Sequence, residues 1–180
     1  NVSPGCVTPD RLIMQDFDGN YLDGAKTPPN EWPIHACILM ARPDIESVAH
    51  THSKWSTIFS VLPIKLRPIH HYGKFLSADG PPVYQGIGLV RTVERGNELA
   101  AALGDGPAVL MRALGDAVVG ASVEQVIERT TRLAMLGEWN HLALLHGEPN
   151  YLTAQELEVY NADQRFPMRG WEYYVSRLKD

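Results

Sequence analysis

A single α/β domain is the fold class this sequence predicts: a central, mostly antiparallel sheet flanked by helices in three layers. Three observations predict it. Short apolar runs alternate with helix-like patterns along all 180 residues. The turn signals Asp18-Gly19-Asn20 and Gly115-Asp116 join neighbouring runs as hairpins, not as helical crossovers. No repeat, low-complexity stretch or long linker divides the chain, whose length suits one core.

The elements follow in order. Leu12 to Phe17 reads as a strand, with Tyr21-Leu22 as its return. Lys26 to Asn30 is a proline-bearing loop. Glu31 to Arg42 reads as a helix, with Pro33 in the first turn, where its missing N–H is harmless. Ile45 to His52 reads as a strand, and Ser53 stands where it can cap a helix over Lys54 to Leu62. Ile69 to Leu76 is a short strand or loop, and Pro81 to Tyr84 another strand. Glu94 to Leu103 is a helix stopped by Gly104-Asp105-Gly106. Ala108 to Arg112 and Ala117 to Val119 bracket the Gly115-Asp116 turn. Ser122 caps a long helix over Val123 to Leu145. Thr153 with Glu156 makes a capping box for the next helix. The tail around Trp171-Glu172-Tyr173-Tyr174 is aromatic and helical.

Composition narrows the function classes. The chain is 44% hydrophobic and 21% charged, which is ordinary for a globular protein. A net charge of -5 argues against a nucleic-acid surface, which needs a basic stripe. No apolar run approaches the ~20 residues of a membrane span. No signal-like start is visible, so a cytoplasmic setting is expected. Cys6 and Cys37 do not make a disulfide framework, and Cys37 reads as a buried thiol. The opening Asn1-Val2-Ser3-Pro4-Gly5 is turn material without a starting methionine, so an N-terminal portion is expected to be missing.

Three groups of residues carry chemistry. His50 and His52 are an H-x-H pair, and in a strand they share one face. Two neutral imidazoles aimed at one point suit a divalent metal. Two polar residues facing water at a strand end is the other reading, and both stand open. Glu31 opens a helix, where the positive dipole end favours a carboxylate. Brought near the histidines, it becomes a candidate general acid/base. Ser3-Pro4-Gly5 and Pro28-Pro29-Asn30 could cradle phosphate through main-chain N–H groups, although turn chemistry explains them equally well. Structural roles suit His35, His70, His141 and His146 better than ligation. His71 is the best remaining substitute ligand or substrate contact.

The residues also carry a resemblance. Asn30-Glu31-Trp32-Pro33-Ile34-His35, Arg42-Pro43-Asp44, Ala49-His50-Thr51-His52-Ser53, Tyr84-Gln85-Gly86-Ile87-Gly88 and Val119-Gly120-Ala121-Ser122 occur in that order. From about Val2 to Leu145 the chain resembles the class II aldolase/adducin head-domain family. The resemblance implies zinc on His50 and His52, with manganese or iron as alternatives, and Glu31 as acid/base. It also implies a third histidine in an R-G-H-G turn, where this chain has Arg112-Ala113-Leu114-Gly115. Leucine cannot ligate, so the implied site is incomplete.

Serines that hold phosphate in the family's sugar-phosphate aldolases are replaced by Pro29-Asn30. The segment Pro68 to Leu76 and the tail Arg169-Gly170-Trp171-Glu172-Tyr173 are similar to a branch acting on hydroxylated aromatic acids. The resemblance therefore implies a carbon–carbon lyase, a decarboxylase of a hydroxylated aromatic or similar non-phosphorylated acid. The alternatives are an aldolase or dehydratase on a small hydroxy-carbonyl substrate, and a metal-depleted association module of the adducin type. Asn30, His71, Arg112 and Tyr173 would bind substrate. A homo-oligomer is implied, a tetramer as in relatives.

Overall fold

The apolar runs Ala108-Val109-Leu110-Met111 and Ala117-Val118-Val119 need cover on both sides of a sheet, and the fold supplies it. The computed structural model describes residues 6–25, 28–162 and 169–178, with main chain alone at 169. Its strands are β1 (Ile13–Gln15), β2 (Tyr21–Gly24), β3 (Ser47–Thr51), β4 (Val83–Tyr84), β5 (Ala108–Met111) and β6 (Gly115–Gly120). Its helices are α1 (Trp32–Ala41), α2 (Lys54–Val61), α3 (Val93–Leu103), α4 (Val123–Leu144), α5 (Ala154–Ala162) and α6 (Arg169–Arg177). The expected Ser3-Pro4-Gly5 cradle lies outside the described residues.

The central sheet runs β3-β6-β5-β4. β3 pairs antiparallel with β6, and β6 with β5, while β4 adds a parallel edge. Side chains alternate across it. Val109, Met111, Ala117 and Val119 pack with Ile34, Ile38 and Leu99 of α1 and α3. Ala108, Leu110 and Val118 pack with Phe59, Leu133 and Leu136 of α2 and α4. The three-layer arrangement is as the sequence predicts. Gly96 lets α1 and α3 close on each other: a Cβ there would stand 2.5 Å from Cys37 Sγ. Cys37 is buried, as expected.

Several elements differ from the sequence reading. The β1–β2 hairpin forms its own two-stranded sheet and does not join the central one. Its turn is as read, with the Asp16 carboxylate accepting from the N–H groups of Asp18 and Asn20 at 3.0 and 2.8 Å. Gly115-Asp116 is not the turn between β5 and β6. Both residues belong to β6, and Arg112-Ala113-Leu114 makes the connection. Ser53 occupies the N-cap of α2 without a side-chain cap bond. Ser122 does cap α4 through Gln125 N at 3.2 Å, and Thr153 with Glu156 closes its box. The segment around His71 is a short 3-10 turn, His71–Gly73. No helix among the described residues is long and apolar enough to cross a membrane.

Candidate metal centre

Edge strand β3 aims the histidines. His50 lies opposite Ala117 of β6 and so faces the α1/α3 layer, and alternation sends His52 the same way. The His50 Nδ1 stands 2.8 Å from the main-chain oxygen of Asp116. A carbonyl oxygen only accepts, so Nδ1 carries the proton and Nε2 is left with a free lone pair. That Nε2 faces the His52 Nε2 at 3.1 Å. Two nitrogens on one tetrahedral zinc sit about 3.3 Å apart at the usual bond lengths.

Glu31 completes the group from the N-cap of α1. Its Oε1 accepts from the Val90 N–H at 2.9 Å, which fixes the carboxylate. One ligand atom from each of Glu31, His50 and His52 lies within 4.8 Å of the other two. The donor set, one carboxylate oxygen and two imidazole nitrogens, fits a divalent ion. Glu31 and His50 are half-buried and His52 is exposed, so the group opens to solvent.

The connection carrying Leu114 abuts this group. A Cβ on Gly115 would lie 2.0 Å from Thr51 O and 3.1 Å from His52 Cα, so only glycine permits the approach. Leu114 packs on the α1/α3 side and brings hydrocarbon to the edge of the site. Ala113 takes φ 57°, a left-handed conformation that costs an L residue about 1 kcal/mol. The Ser60 hydroxyl accepts from Ala113 N at 3.0 Å and holds the turn.

On the other face of the same strand pair lies Asp116. It is fully buried, and its Oδ1 accepts from the Thr51 hydroxyl at 2.7 Å. Its Oδ2 has no hydrogen-bond partner among the described residues; the Ser56 hydroxyl acts from nearby without the alignment of a hydrogen bond. Burial pushes the Asp116 carboxyl up from its ordinary value, against the pull of Ser56, Thr51, His50 and His52. His35, one turn after Glu31 on α1, is held below its ordinary value, first by burial and then by His50.

The remaining expected site residues divide into two groups. Asn30 and Arg112 are exposed, Asn30 directly before Glu31 and Arg112 in the turn beside β3. His71 and Tyr173 instead line a cavity of about 500 Å³ between α4, α6 and the 3-10 turn, together with Tyr72, Lys74, Arg132 and Tyr174. His71 is held down by burial and by the Arg132 and Lys74 cations. This cavity lies on the α4 side of the sheet, away from the histidine pair. Within one chain, His71 therefore does not join the ligand group, and its expected role as substitute ligand there is not met.

Sequence reasoning missed Asp116, Ser60 and Val90. The sequence pattern makes Asp116 a turn residue; its place between apolar runs is the signal for a strand position. The other two act through a hydroxyl and a main-chain N–H whose positions no spacing rule gives.

Residues 1–141 match the class II aldolase and adducin N-terminal domain. The chain is 33% identical over 137 residues to a 3,4-dihydroxyphthalate decarboxylase of Rhodococcus jostii, covering 71% of this chain and 56% of that enzyme. It is 27% identical over 152 residues to a 5-methylthioribulose-1-phosphate/5-deoxyribulose-1-phosphate aldolase of Rhodospirillum rubrum, covering 84% and 68%. The solved structure of an L-fuculose 1-phosphate aldolase superposes with a TM-score of 0.80 at 22% identity over 90% of this chain and 76% of that one, a likeness of fold. The chain thus spans little more than half the length of the decarboxylase it matches. With the domain matched over residues 1–141 and the decarboxylase 33% identical, the chain belongs to the class II aldolase and adducin N-terminal domain family.

Proposed function

We propose that this chain carries the centre of a carbon–carbon lyase, a decarboxylase of a hydroxylated aromatic acid. The observation that supports it most is the pairing of the facing His50 and His52 nitrogens with the Glu31 carboxylate, in a chain 33% identical to a 3,4-dihydroxyphthalate decarboxylase. His50 and His52 would hold the metal, with zinc the first expectation and manganese or iron behind it. A divalent ion there would supply a Lewis acid for the electron pair left on carbon when carbon dioxide departs.

Glu31 delivers the proton that replaces the lost carboxylate, and takes another from solvent through the open side of the site. The bond from ring carbon to carboxylate carbon breaks, and the bond from ring carbon to hydrogen forms. Arg112 and Asn30 would bind substrate, a cation and an amide that can orient a carboxylate and a phenol. Pro29-Asn30 offers no hydroxyl for a phosphate ester. His71 and Tyr173 bind the aromatic ring of substrate, reaching the centre of a neighbouring copy in a homo-oligomer, which we take to be a tetramer.

Carbon dioxide release from hydroxybenzoic and dihydroxyphthalic acids tests the proposal. Wild type is expected to turn over at least one of them, and Glu31→Gln to lose at least about 100-fold. An aldehyde product from a hydroxy-carbonyl panel, without carbon dioxide, would replace this reading with the aldolase one. Absence of both metal uptake and turnover would leave the association module.

A further inference from the structure

A buried carboxylate destabilises a fold unless a cation or a full set of donors answers it. Asp116 has neither among the described residues. It is fully buried, Oδ1 takes a single hydroxyl from Thr51 at 2.7 Å, and Oδ2 takes no hydrogen bond. Yet the same residue sits directly behind the histidine pair. Its main-chain oxygen holds His50 Nδ1 at 2.8 Å, and Thr51, its cross-strand partner, is the residue between the two histidines. An ion held by those histidines would stand across the strand from this carboxylate, in surroundings of low dielectric where opposite charges act strongly on each other.

We propose that Asp116 is a positioning residue of the metal centre. Its main chain fixes the His50 ring with Nε2 outward, and its carboxylate, clamped by Thr51, places behind the imidazoles a negative charge that offsets the ligand missing at Leu114. The inference rests on the reading that His50 and His52 hold a divalent ion beside Glu31.

Zinc titration calorimetry on the full chain tests it, with the visible absorption of bound cobalt as a second readout. Asp116→Asn keeps the shape and the acceptor for Thr51 but removes the charge. Thr51→Val removes the clamp and keeps the charge. Wild type is expected to bind one zinc, and Asp116→Asn to bind about tenfold more weakly with a shifted cobalt band. Thr51→Val is expected to lose severalfold. The metal-free variants should keep the far-ultraviolet dichroism of wild type. Zinc affinity in Asp116→Asn within twofold of wild type overturns the inference while leaving His50 and His52 as the proposed ligands. A wild type that takes up no zinc overturns that ligand reading first, and the inference with it. If Asp116→Asn does not fold, unchanged affinity in Thr51→Val overturns the inference.

Discussion

At the residue scale, buried Asp116 and half-buried His35 set opposite pH dependences on the metal-free fold. Burial raises the Asp116 carboxyl above its unfolded value of 3.8. Below that value both states hold the proton and Asp116 is neutral in the balance. Between that value and the higher folded pKa the unfolded chain is ionised while the folded one keeps its proton, so stability falls across this window as pH rises and then stays level. His35 acts the other way. Its folded pKa is below the unfolded 6.5, so its contribution is present above that value and falls away as pH drops below it. Asparagine at 116 cannot ionise and can offer its amide to the orphaned Ser56 hydroxyl. Metal-free Asp116→Asn should therefore be more stable than wild type at pH 7, by on the order of 1 kcal/mol, and the gap should close toward pH 4. Denaturant unfolding at both pH values measures it, and a constant gap would refute the burial argument. Strand spacing puts His50 and His52 on one face and a helix start suits Glu31, but the approach of all three within 4.8 Å is in neither pattern. Asp116 is not legible as a site residue, because its meaning depends on which sheet face it enters, and that follows from a register set by the turn at Arg112-Ala113-Leu114.

At the scale of elements, the sequence yields the helices more fully than their docking. The caps at Ser122 and Thr153 are local and were readable; the seat of α6 is not local. Glu128 of α4 is nearly buried, pairs with Arg132 at 2.9 Å, and accepts from Gly170 N at 3.0 Å. On the sequence it is one more acid on a long helix, and its partner in α6 is 42 residues away. The same distance effect hid the separation of the β1–β2 hairpin from the central sheet, since hairpin signals say nothing of what a hairpin packs on. Glu128→Ala leaves a main-chain N–H and a guanidinium without their acceptor, a loss of about 1–3 kcal/mol felt at the contact. Hydrogen exchange should report it as at least about tenfold faster exchange across residues 170–177, with β5 and β6 unchanged. Equal protection in the variant would mean that other contacts seat α6.

At the scale of the molecule, the sheet separates two sets of groups that the proposed reaction would bring together. Glu31, His50 and His52 face the α1/α3 layer at the edge strand, while His71 and Tyr173 line the cavity beside α4 and α6. A side chain cannot pass through a packed sheet, so one chain does not bring the two sets together. A closed ring of copies can, because a head-to-tail interface sets one surface of each copy against a different surface of the next. His50→Ala then removes the metal half and His71→Ala the aromatic half of every site, and each variant alone should be nearly inactive in carbon dioxide release. Mixed in equal amounts and allowed to reassemble, they should regain about a quarter of wild-type activity, since one interface in four joins two intact halves. Native mass spectrometry establishes that hybrids form. Hybrids without regained activity would place both halves of the site in one copy, and then His71 and Tyr173 would have to reach the metal centre by a movement of α6 and the 3-10 turn around the edge of β3.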